Sequence, residues 1–530
     1  MTPAGPDDAA TGPRADIPQL REASDRLRQG QTEAAEIILR RYLDENPADA
    51  NALLLLAEVA IRCNSREDAE QILERCLEIA PDFRAARYRH AQILYEQNKG
   101  RRALPEIEAL LRDAPGSFEC LSLKAVVLGQ TGEFVQALSC HEQLVRDHPE
   151  RPGLWLNYAS DLRAAGRQRE SIAMYRSAIE RFPRLAEAYW SLGNFKTFRF
   201  EPADIAAMES ELSRPDLADR NRCLLHYALG KAFEDAHDFE RSFGHYGKAN
   251  ALRRRAVHHD ADAVTRSFER LKATFSARFL ADREGAGCPV PDPIFIVGLP
   301  RSGSTLLAQI LSSHSAIETL GELTNINAAV DRLDGPYPEA LSELDPAAFG
   351  ALGEEFIEET RELRGPDRPF FVDKMPDNFR HVGFIHAILP NAKIIDMRRD
   401  PMACGFSNFK QDFEVGYTFT NDLADFARYY CDYVGLMDHF DRALPGRVYR
   451  VRYERLIENP EFEVRNLLEH ISLPFEENCL RFHENVASIR TASSEQVRTP
   501  LFRDAVAQWR NYEQWLEPLK LALGPDRRGF

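Results

Sequence analysis

Two patterns of apolar positions follow one another along the chain. Up to about residue 255, apolar residues recur as in short amphipathic helices. From Pro293 a continuous apolar run, Ile294–Val297, breaks at Gly298 and resumes as an apolar-periodic segment from Leu306. This order predicts a strand, a tight turn and a helix, a turn type that commonly binds anions.

The helical part is periodic. Prolines recur every 34 residues, at Pro47, Pro81, Pro115, Pro149 and Pro183. Small residues precede them by 24 positions, at Ala23, Ala57, Ala91, Ala125 and Ala159, and Gly193 continues the series. Small residues also precede them by 12 positions, at Ala35, Ala69, Ala103, Ala137 and Ser171. Small side chains let two helices cross closely, and proline ends the second helix.

This pattern resembles the tetratricopeptide repeat. The resemblance implies an all-α solenoid over residues 16–256, with five clear units and a partial sixth. A further unit fits LLHYALGKAFEDAHDFERSFGHYGKAN, where Gly230, Ser242, Tyr246 and Ala249 take the repeat's small, small, aromatic and small positions. Two roles stay open: a spacer or homodimerisation arm, or a groove that binds a protein, peptide or glycan acceptor.

Composition narrows the class of protein. The 530 residues allow two to four domains, and the net charge of −16 argues against a nucleic-acid or anionic-membrane binder. No apolar run is long enough to span a membrane, and the start of the chain does not read as a signal peptide. Nine scattered cysteines without a CxxC pair fit a reduced cytoplasm. Only ten of the 67 basic residues are lysine, as in GC-rich bacteria.

The turn after the apolar run is phosphate-loop-like. Gly298 and Gly303 have the spacing of GxxxxGK[ST], but Ser304 stands where that loop has lysine. Backbone amides, the hydroxyls of Ser304 and Thr305, and the Arg301 guanidinium still suit a phosphate-like anion. A nucleoside kinase or nucleoside triphosphatase is the rival class, and it requires the missing lysine.

The sequence GLPRSGST resembles the 5′-phosphosulfate loop of sulfotransferases that use 3′-phosphoadenosine 5′-phosphosulfate. AKIIDMRRDPMACGFSNFK is similar to that family's 3′-phosphate site, with Arg399 at a strand end and Ser407 eight residues later. The resemblance implies an α/β P-loop-like sulfotransferase domain with a parallel sheet over residues 293–515, and this nucleotide as co-substrate. It implies that the nucleotide is bound by Arg301, Ser302, Gly303, Ser304, Thr305, Arg399 and Ser407.

Three further segments resemble tyrosylprotein sulfotransferases: FVDKMPDNF around Lys374, VRYERLIENP around Tyr453, and TASSEQVRTPLFRDAVAQW. The resemblance implies that Lys374 acts on the bridging oxygen. It also implies that Tyr453, Ser493 and Arg498 lie near the nucleotide.

The chain departs from that family at several positions. The family's GEE is GEL here, so only Glu322 is available, and its further basic residue falls on Gln411, beside Lys410. Its late lysine falls on Gln508, for which Arg498 or Arg510 is a substitute. These differences affect the identity of the acceptor more than that of the donor.

The resemblance makes Arg301, Lys374 and Glu322 the candidate catalytic residues. Arg301 and Lys374 would stabilise charge on the leaving oxygen, and Glu322 would accept the acceptor's proton. Histidine is the base in other branches of the family, so the alternatives are His314, His381 and His386. The chemistry requires no metal.

We therefore expect a lead-in over residues 1–15, the solenoid, a linker over residues 257–292, the transferase domain, and a tail over residues 516–530. The expected reaction is sulfuryl transfer to a hydroxyl of a peptide tyrosine or a carbohydrate. The alternative is a tetratricopeptide scaffold with a non-catalytic nucleotide-binding domain.

Overall fold

A computed structural model describes residues 17–361, 363–365, 367–413, 416–485 and 506–525. The chain divides into two compact units, Met1–Pro183 and Arg184–Phe530. The expected lead-in over residues 1–15 lies outside the described residues. Among the described helices, none combines the length and apolar character needed to cross a membrane.

The first unit consists of antiparallel helix pairs. Their bounds are α1 (Pro18–Arg28), α2 (Thr32–Glu45), α3 (Ala50–Arg62), α4 (Arg66–Ile79), α5 (Arg84–Glu96), α6 (Gly100–Asp113), α7 (Phe118–Thr131), α8 (Phe134–Asp147), α9 (Pro152–Ala164) and α10 (Gln168–Arg181). The second helix of each pair ends two residues before one of the periodic prolines. All ten periodic alanine and serine positions of these five units are 0% exposed. The predicted repeat is confirmed because the small residues lie where the helices cross.

The second unit begins with more helices of the same kind. Their bounds are α11 (Ala186–Gly193), α12 (Pro202–Leu212), α13 (Asp219–Asp235) and α14 (Phe239–Ala256). In the further unit, a Cβ on Gly230 would lie 2.6 Å from the Tyr246 ring, and Ser242 Oγ donates to Gly230 O at 2.7 Å. Ser171 makes the same bond, 12 residues back, to Ala159 O at 2.5 Å.

The predicted linker is largely helical and buries aromatic residues. It contains α15 (Ala261–Thr274) and α16 (Ala277–Ala281), and Phe268 and Phe275 are fully buried. Tyr246 and Phe268 belong to the same hydrophobic cluster as Phe406 and Tyr512 of the α/β part. By packing, the chain divides at Pro183, since α13–α16 share the core of the α/β domain.

A five-stranded parallel sheet forms the centre of the second unit. Its strands are β1 (Pro293–Gly298), β2 (Ile317–Gly321), β3 (Phe370–Asp373), β4 (Lys393–Arg398) and β5 (Val448–Arg452). The order is β2-β3-β1-β4-β5. Phe295 and Val297 face one hydrophobic cluster, whereas Ile294 and Ile296 face another. Helices therefore cover both faces, and this explains the uninterrupted apolar run in β1.

The remaining helices flank the sheet. They are α17 (Ser304–Ser312), α18 (Asn325–Asp331), α19 (Pro346–Arg361), α20 (Val382–Ile388), α21 (Pro401–Phe409), α22 (Leu423–Ala443), α23 (Tyr453–Glu458), α24 (Pro460–His470) and α25 (Glu517–Leu523). Short 3-10 helices lie at Glu339–Ser342, Pro376–His381, Thr418–Asn421, Glu477–Cys479, Phe482–Glu484 and Gln508–Trp515. In the expected tail, α25 buries Leu519 and Leu523 in the larger cluster. The fold is thus an all-α repeat region followed by a parallel α/β domain.

A buried ion pair joins α14 to the segment after α21. Arg253 Nε donates to Asp412 Oδ1 at 2.7 Å, a second bond joins Nη2 to Oδ2, and the Asp412 side chain is only 1% exposed. Losing one partner of such a pair leaves an uncompensated buried charge.

We expect Arg253→Ala to destabilise the second unit by about 3–5 kcal/mol because Asp412 loses its partner. The exposed pair of Arg278 with Asp282 provides the control, since Arg278 is 91% exposed. Arg278→Ala should cost less than about 1 kcal/mol. Chemical denaturation followed by circular dichroism measures both. Equal losses in the two variants would contradict the prediction, and Asp412→Asn added to Arg253→Ala should recover part of the loss.

Candidate functional site

The candidate residues gather at the carboxyl edge of the sheet. Gly298 pairs with Met397, and Gly321 pairs with Asp373, so β1, β4, β2 and β3 end at neighbouring positions. Ligands of open parallel sheets bind outside these strand ends. The loop after β1, Glu322, Lys374 and Arg399 follow directly after them.

The loop between β1 and α17 follows a path that requires glycine. Gly298 has φ 145° and Gly303 has φ 104°. A Cβ on Gly298 would lie 2.5 Å from Met397 O, and one on Gly303 would lie 2.5 Å from Tyr453 Cδ2. Arg301 also has a positive φ of 64°. The backbone therefore curls tightly against β4 and α23, along a path that a side chain at either glycine would block.

Hydroxyl groups of the loop are placed for an anion. Ser302 is buried, and its Oγ has no hydrogen-bond partner among the described residues. Ser304 and Thr305 form the first turn of α17, where backbone amides are not used by the helix itself. A phosphate or sulfate oxygen at this point would satisfy both sets of donors.

Two arginines and a serine meet beside the loop. Arg301 Nε donates to Ser407 Oγ at 3.2 Å, and Arg399 Nη1 donates to Arg301 O at 3.0 Å. The Arg399 guanidinium carbon lies 4.7 Å from the centre of the Tyr453 ring. Burial, and then the charge of Arg399, lower the pKa of Arg301 to about 10, so Arg301 stays cationic at neutral pH. The structure thus brings together four of the predicted residues from three separate segments.

Lys374 and Glu322 form an ion pair at the same edge. Lys374 Nζ donates to Glu322 Oε1, with the lysine 4% and the glutamate 44% exposed. Lys374 N donates to Gly321 O at 2.8 Å, and Leu323 N donates to Asp373 Oδ1 at 3.3 Å. These two bonds fix both turns. Glu322 therefore remains open to solvent on a rigid support.

Two buried carboxyl groups surround this pair, and sequence reasoning missed both. Burial raises the pKa of Asp373 to about 8 and that of Asp377 to about 6. Asp373 also accepts a hydrogen bond from Asn378 Nδ2 at 3.1 Å. Both lie in the quoted segment FVDKMPDNF, so proximity to Lys374 was the available signal.

Two of the three alternative histidines, His314 and His381, have structural contacts. His314 lies before β2, at the opposite edge from Glu322, and contacts Pro474 O at 2.9 Å through Nε2. His381 contacts Tyr337 Oη at 3.0 Å and Asn327 Oδ1 at 3.2 Å, and burial lowers its pKa to about 3. Burial also lowers the pKa of His386 to about 4. Of the four candidate bases, Glu322 is the one beside the loop edge and Lys374.

A pocket opens beside Arg301, Arg399, Ser407 and Tyr453, and one of its walls was not predicted. That wall comes from α11, the bend after it, α13 and α14, and it includes Trp190, Lys196, Lys231, Glu234 and Tyr246. These residues lie between about 50 and 110 positions before the loop. No local motif links them to the loop, because the contact depends on packing between distant segments.

Two positions where the chain departs from the tyrosylprotein enzymes, Gln411 and Gln508, also line the pocket, together with Lys410 and Trp509. Lys410 Nζ donates to Glu234 Oε2 at 2.9 Å and to Gln508 Oε1 at 3.1 Å. The predicted residues Ser493 and Arg498 lie outside the described residues.

The chain is similar to two kinds of known protein. The family model described as "Sulfotransferase family" matches residues 293–477, and a tetratricopeptide-repeat model matches residues 26–84 and 67–127. An uncharacterised protein of Aquifex aeolicus (strain VF5) is 27% identical over 518 residues, which cover 93% of this chain and 63% of that protein. A putative protein-tyrosine sulfotransferase of Caenorhabditis briggsae is 26% identical over 224 residues, 41% of this chain and 80% of that protein.

Among solved structures, the sulfotransferase domain from the curacin biosynthetic pathway aligns with 42% of this chain and 91% of its own, at 20% identity and a TM-score of 0.32. The chain spans less than two thirds of the length of the Aquifex relative. It combines tetratricopeptide repeats with a sulfotransferase-family domain.

Proposed function

We propose that the α/β domain transfers a sulfuryl group from 3′-phosphoadenosine 5′-phosphosulfate to an acceptor hydroxyl. The observation that carries the proposal is the contact between Arg301 and Ser407, at 3.2 Å across 106 positions of the chain. This contact joins a phosphate loop without lysine to a second candidate anion site. A nucleotide with separate phosphate groups on its 3′ and 5′ oxygens requires two such sites.

The residues present fit this nucleotide. The curled loop, the Ser302 hydroxyl, for which the described residues provide no partner, and the first turn of α17 suit the 5′-phosphosulfate. Arg399 and Ser407 suit the 3′-phosphate, and the Tyr453 ring beside Arg399 offers a surface to the base. When bound, the donor supplies an activated sulfuryl group whose departure places negative charge on the bridging oxygen.

The side chains at the carboxyl edge of the sheet then have separate roles in the reaction. Arg301 and Lys374 hold fixed positive charge where that negative charge develops. Glu322 accepts the proton of the acceptor hydroxyl as the new bond forms. Pairing with Lys374 orients Glu322, and the exposed position of Glu322 lets an incoming hydroxyl reach it. The proposed acceptor is a peptide tyrosine or a carbohydrate.

Nucleotide preference tests the donor. We expect 3′-phosphoadenosine 5′-phosphate to raise the melting temperature and ATP with Mg²⁺ to raise it much less, because the loop lacks the lysine that holds terminal phosphates. A ligand at 100 times its dissociation constant adds about 2.7 kcal/mol. Thermal shift at matched concentrations measures the difference. Equal or larger stabilisation by ATP with Mg²⁺ would refute the assignment.

Glu322→Gln tests the chemistry. We expect turnover to fall by about 10²-fold or more, since the glutamine amide accepts a hydrogen bond but no proton. The affinity for the nucleotide should stay unchanged. Glu343→Gln is the matched control because Glu343 is an exposed glutamate of the same unit. Transfer of the labelled sulfuryl group from the donor to a panel of tyrosine peptides and glycans measures turnover. Normal turnover in Glu322→Gln would assign the base elsewhere, and no turnover by the unaltered protein on any acceptor would favour the non-catalytic scaffold.

We further propose that the repeats of the first unit recruit a protein or glycan-bearing acceptor. Such a stack presents a long concave surface, and binding energy from remote parts of a substrate can serve the reacting centre. The alternative is that these repeats only join two subunits.

A fragment of residues 184–530 keeps the compact second unit intact and lacks the first five repeats. We expect it to match the full chain on a small acceptor and to show at least about a tenfold higher KM on a protein acceptor, because the remote contacts are lost. Initial rates and sedimentation of both forms provide the measurement. Identical KM values, with a change from dimer to monomer, would favour the subunit-joining role.

A further inference from the structure

Strand β2 is irregular at its carboxyl end. Thr319 is paired with Val372 of β3. The next pair joins Gly321 to Asp373, so Leu320 is an extra residue with no position opposite it, which is a β-bulge. Gly321 has a positive φ of 81°, a conformation that glycine adopts at little cost. Bulges bend a strand and re-aim the side chains that follow.

The bulge decides which residue lies opposite Lys374. Continued by one position, the observed register sets Glu322 opposite Lys374, and these two side chains form the ion pair at the edge of the sheet. Without the extra residue, Gly321 would lie opposite Lys374. Glu322 would then point to the other face of the sheet, because side chains alternate along a strand. The candidate base therefore meets Lys374 only in the bulged register.

The Asp373 side chain holds this register from inside the sheet. It is 0% exposed, and its Oδ1 accepts a hydrogen bond from Leu323 N at 3.3 Å. Its Oδ2 accepts one from Asn378 Nδ2 at 3.1 Å, in the 3-10 helix after β3. Leu323 is the residue directly after the candidate base. The carboxyl group thus ties the end of the bulged segment to β3.

We propose that Asp373 is a positioning residue of the transferase site, whose carboxyl group keeps Glu322 in the bulged register opposite Lys374. The inference rests on the proposed function and deepens it, because it names the group that orients the candidate base. Asp373 would act by accepting hydrogen bonds, not by its charge. In support, burial raises the pKa of Asp373 to about 8, so the group is largely neutral at pH 7.

Two substitutions of similar shape separate hydrogen-bond acceptance from space filling. Asp373→Asn keeps an oxygen for Leu323 N. The amide that it introduces can donate to Asn378 Oδ1, which has no hydrogen-bond partner among the described residues, once the Asn378 amide turns over. Asp373→Leu has the same branching but accepts no hydrogen bond, so the turn that carries Glu322 loses its tie to β3.

We expect kcat to fall by about tenfold or more in Asp373→Leu, the scale of one lost hydrogen bond at a buried group. In Asp373→Asn it should stay within about threefold of the unaltered value. KM and the affinity for 3′-phosphoadenosine 5′-phosphate should change by less than about twofold in both, since the donor residues are untouched. Thr360→Val is the matched control, because Thr360 is fully buried and its hydroxyl bonds only within α19.

A double-mutant cycle with Glu322→Gln distinguishes positioning from a general structural role. Once the base is replaced, Asp373→Leu should lower kcat by less than about threefold further, because no proton acceptor remains to be oriented. A structural role would lower kcat by the same factor with and without Glu322. Transfer of the labelled sulfuryl group by the full-length unaltered protein, the two single variants and the double variant measures the cycle.

The outcomes are distinguishable. No transfer by the unaltered protein on any acceptor refutes the proposed function, and this inference with it. Normal turnover in Glu322→Gln also refutes the inference, since Glu322 is then not the base. Equal factors in the two backgrounds, or an equal loss in Asp373→Asn and Asp373→Leu, refute only the positioning role of Asp373.

Melting temperatures show whether Asp373→Leu is folded. If it is not, Asn378→Ala takes its place in the cycle, because it releases only Oδ2 of the carboxyl group. We expect Asn378→Ala to lower kcat by about threefold or more when Glu322 is present and to have no further effect in Glu322→Gln. An unchanged kcat in Asn378→Ala, or an equal loss in both backgrounds, would refute the proposal.

Discussion

Glu234 is the buried carboxylate on which the second unit depends. It lies on α13 and accepts hydrogen bonds from Lys410 at 2.9 Å, Gln508 at 2.7 Å and Tyr512 at 3.1 Å. Burial alone would raise the pKa of Glu234, but the charges of Lys410 and Lys196 outweigh it and the net shift is downward. An ionised group this deep requires all its partners. The repeat helix, α21 and the C-terminal 3-10 helix are therefore held together.

The repeat helices therefore pack in two different ways. In the first unit, small residues at the helix crossings bury each pair against its neighbours. In α13 and α14 the same crossing geometry recurs, but Tyr246 and Ala249 pack into the cluster that also covers the sheet. The α/β domain thus covers the last repeat where a further repeat would otherwise pack, and polar residues of that last repeat face the pocket.

The site combines rigid backbone with balanced charge. Gly298 and Gly303 let the loop approach β4 and α23 more closely than any side chain would allow. Lys374 is nearly buried, and Glu322 neutralises it while remaining exposed. In the proposed reaction, this pair exchanges its internal contact for contacts with the donor and the acceptor.

The sequence by itself determined the features that repeat or follow one another locally. The prolines predicted where each second helix ends, and the run Ile294–Val297 predicted a buried strand. The two anion sites, at the loop and at Arg399 and Ser407, stay a prediction. The tertiary structure alone decided the division at Pro183, the helices of the expected linker, and the placement of Lys196 and Glu234 in the pocket. Periodicity and turn chemistry act between near neighbours, and a single sequence records them. Contacts across more than 100 residues depend on how whole surfaces pack, and no local pattern records that.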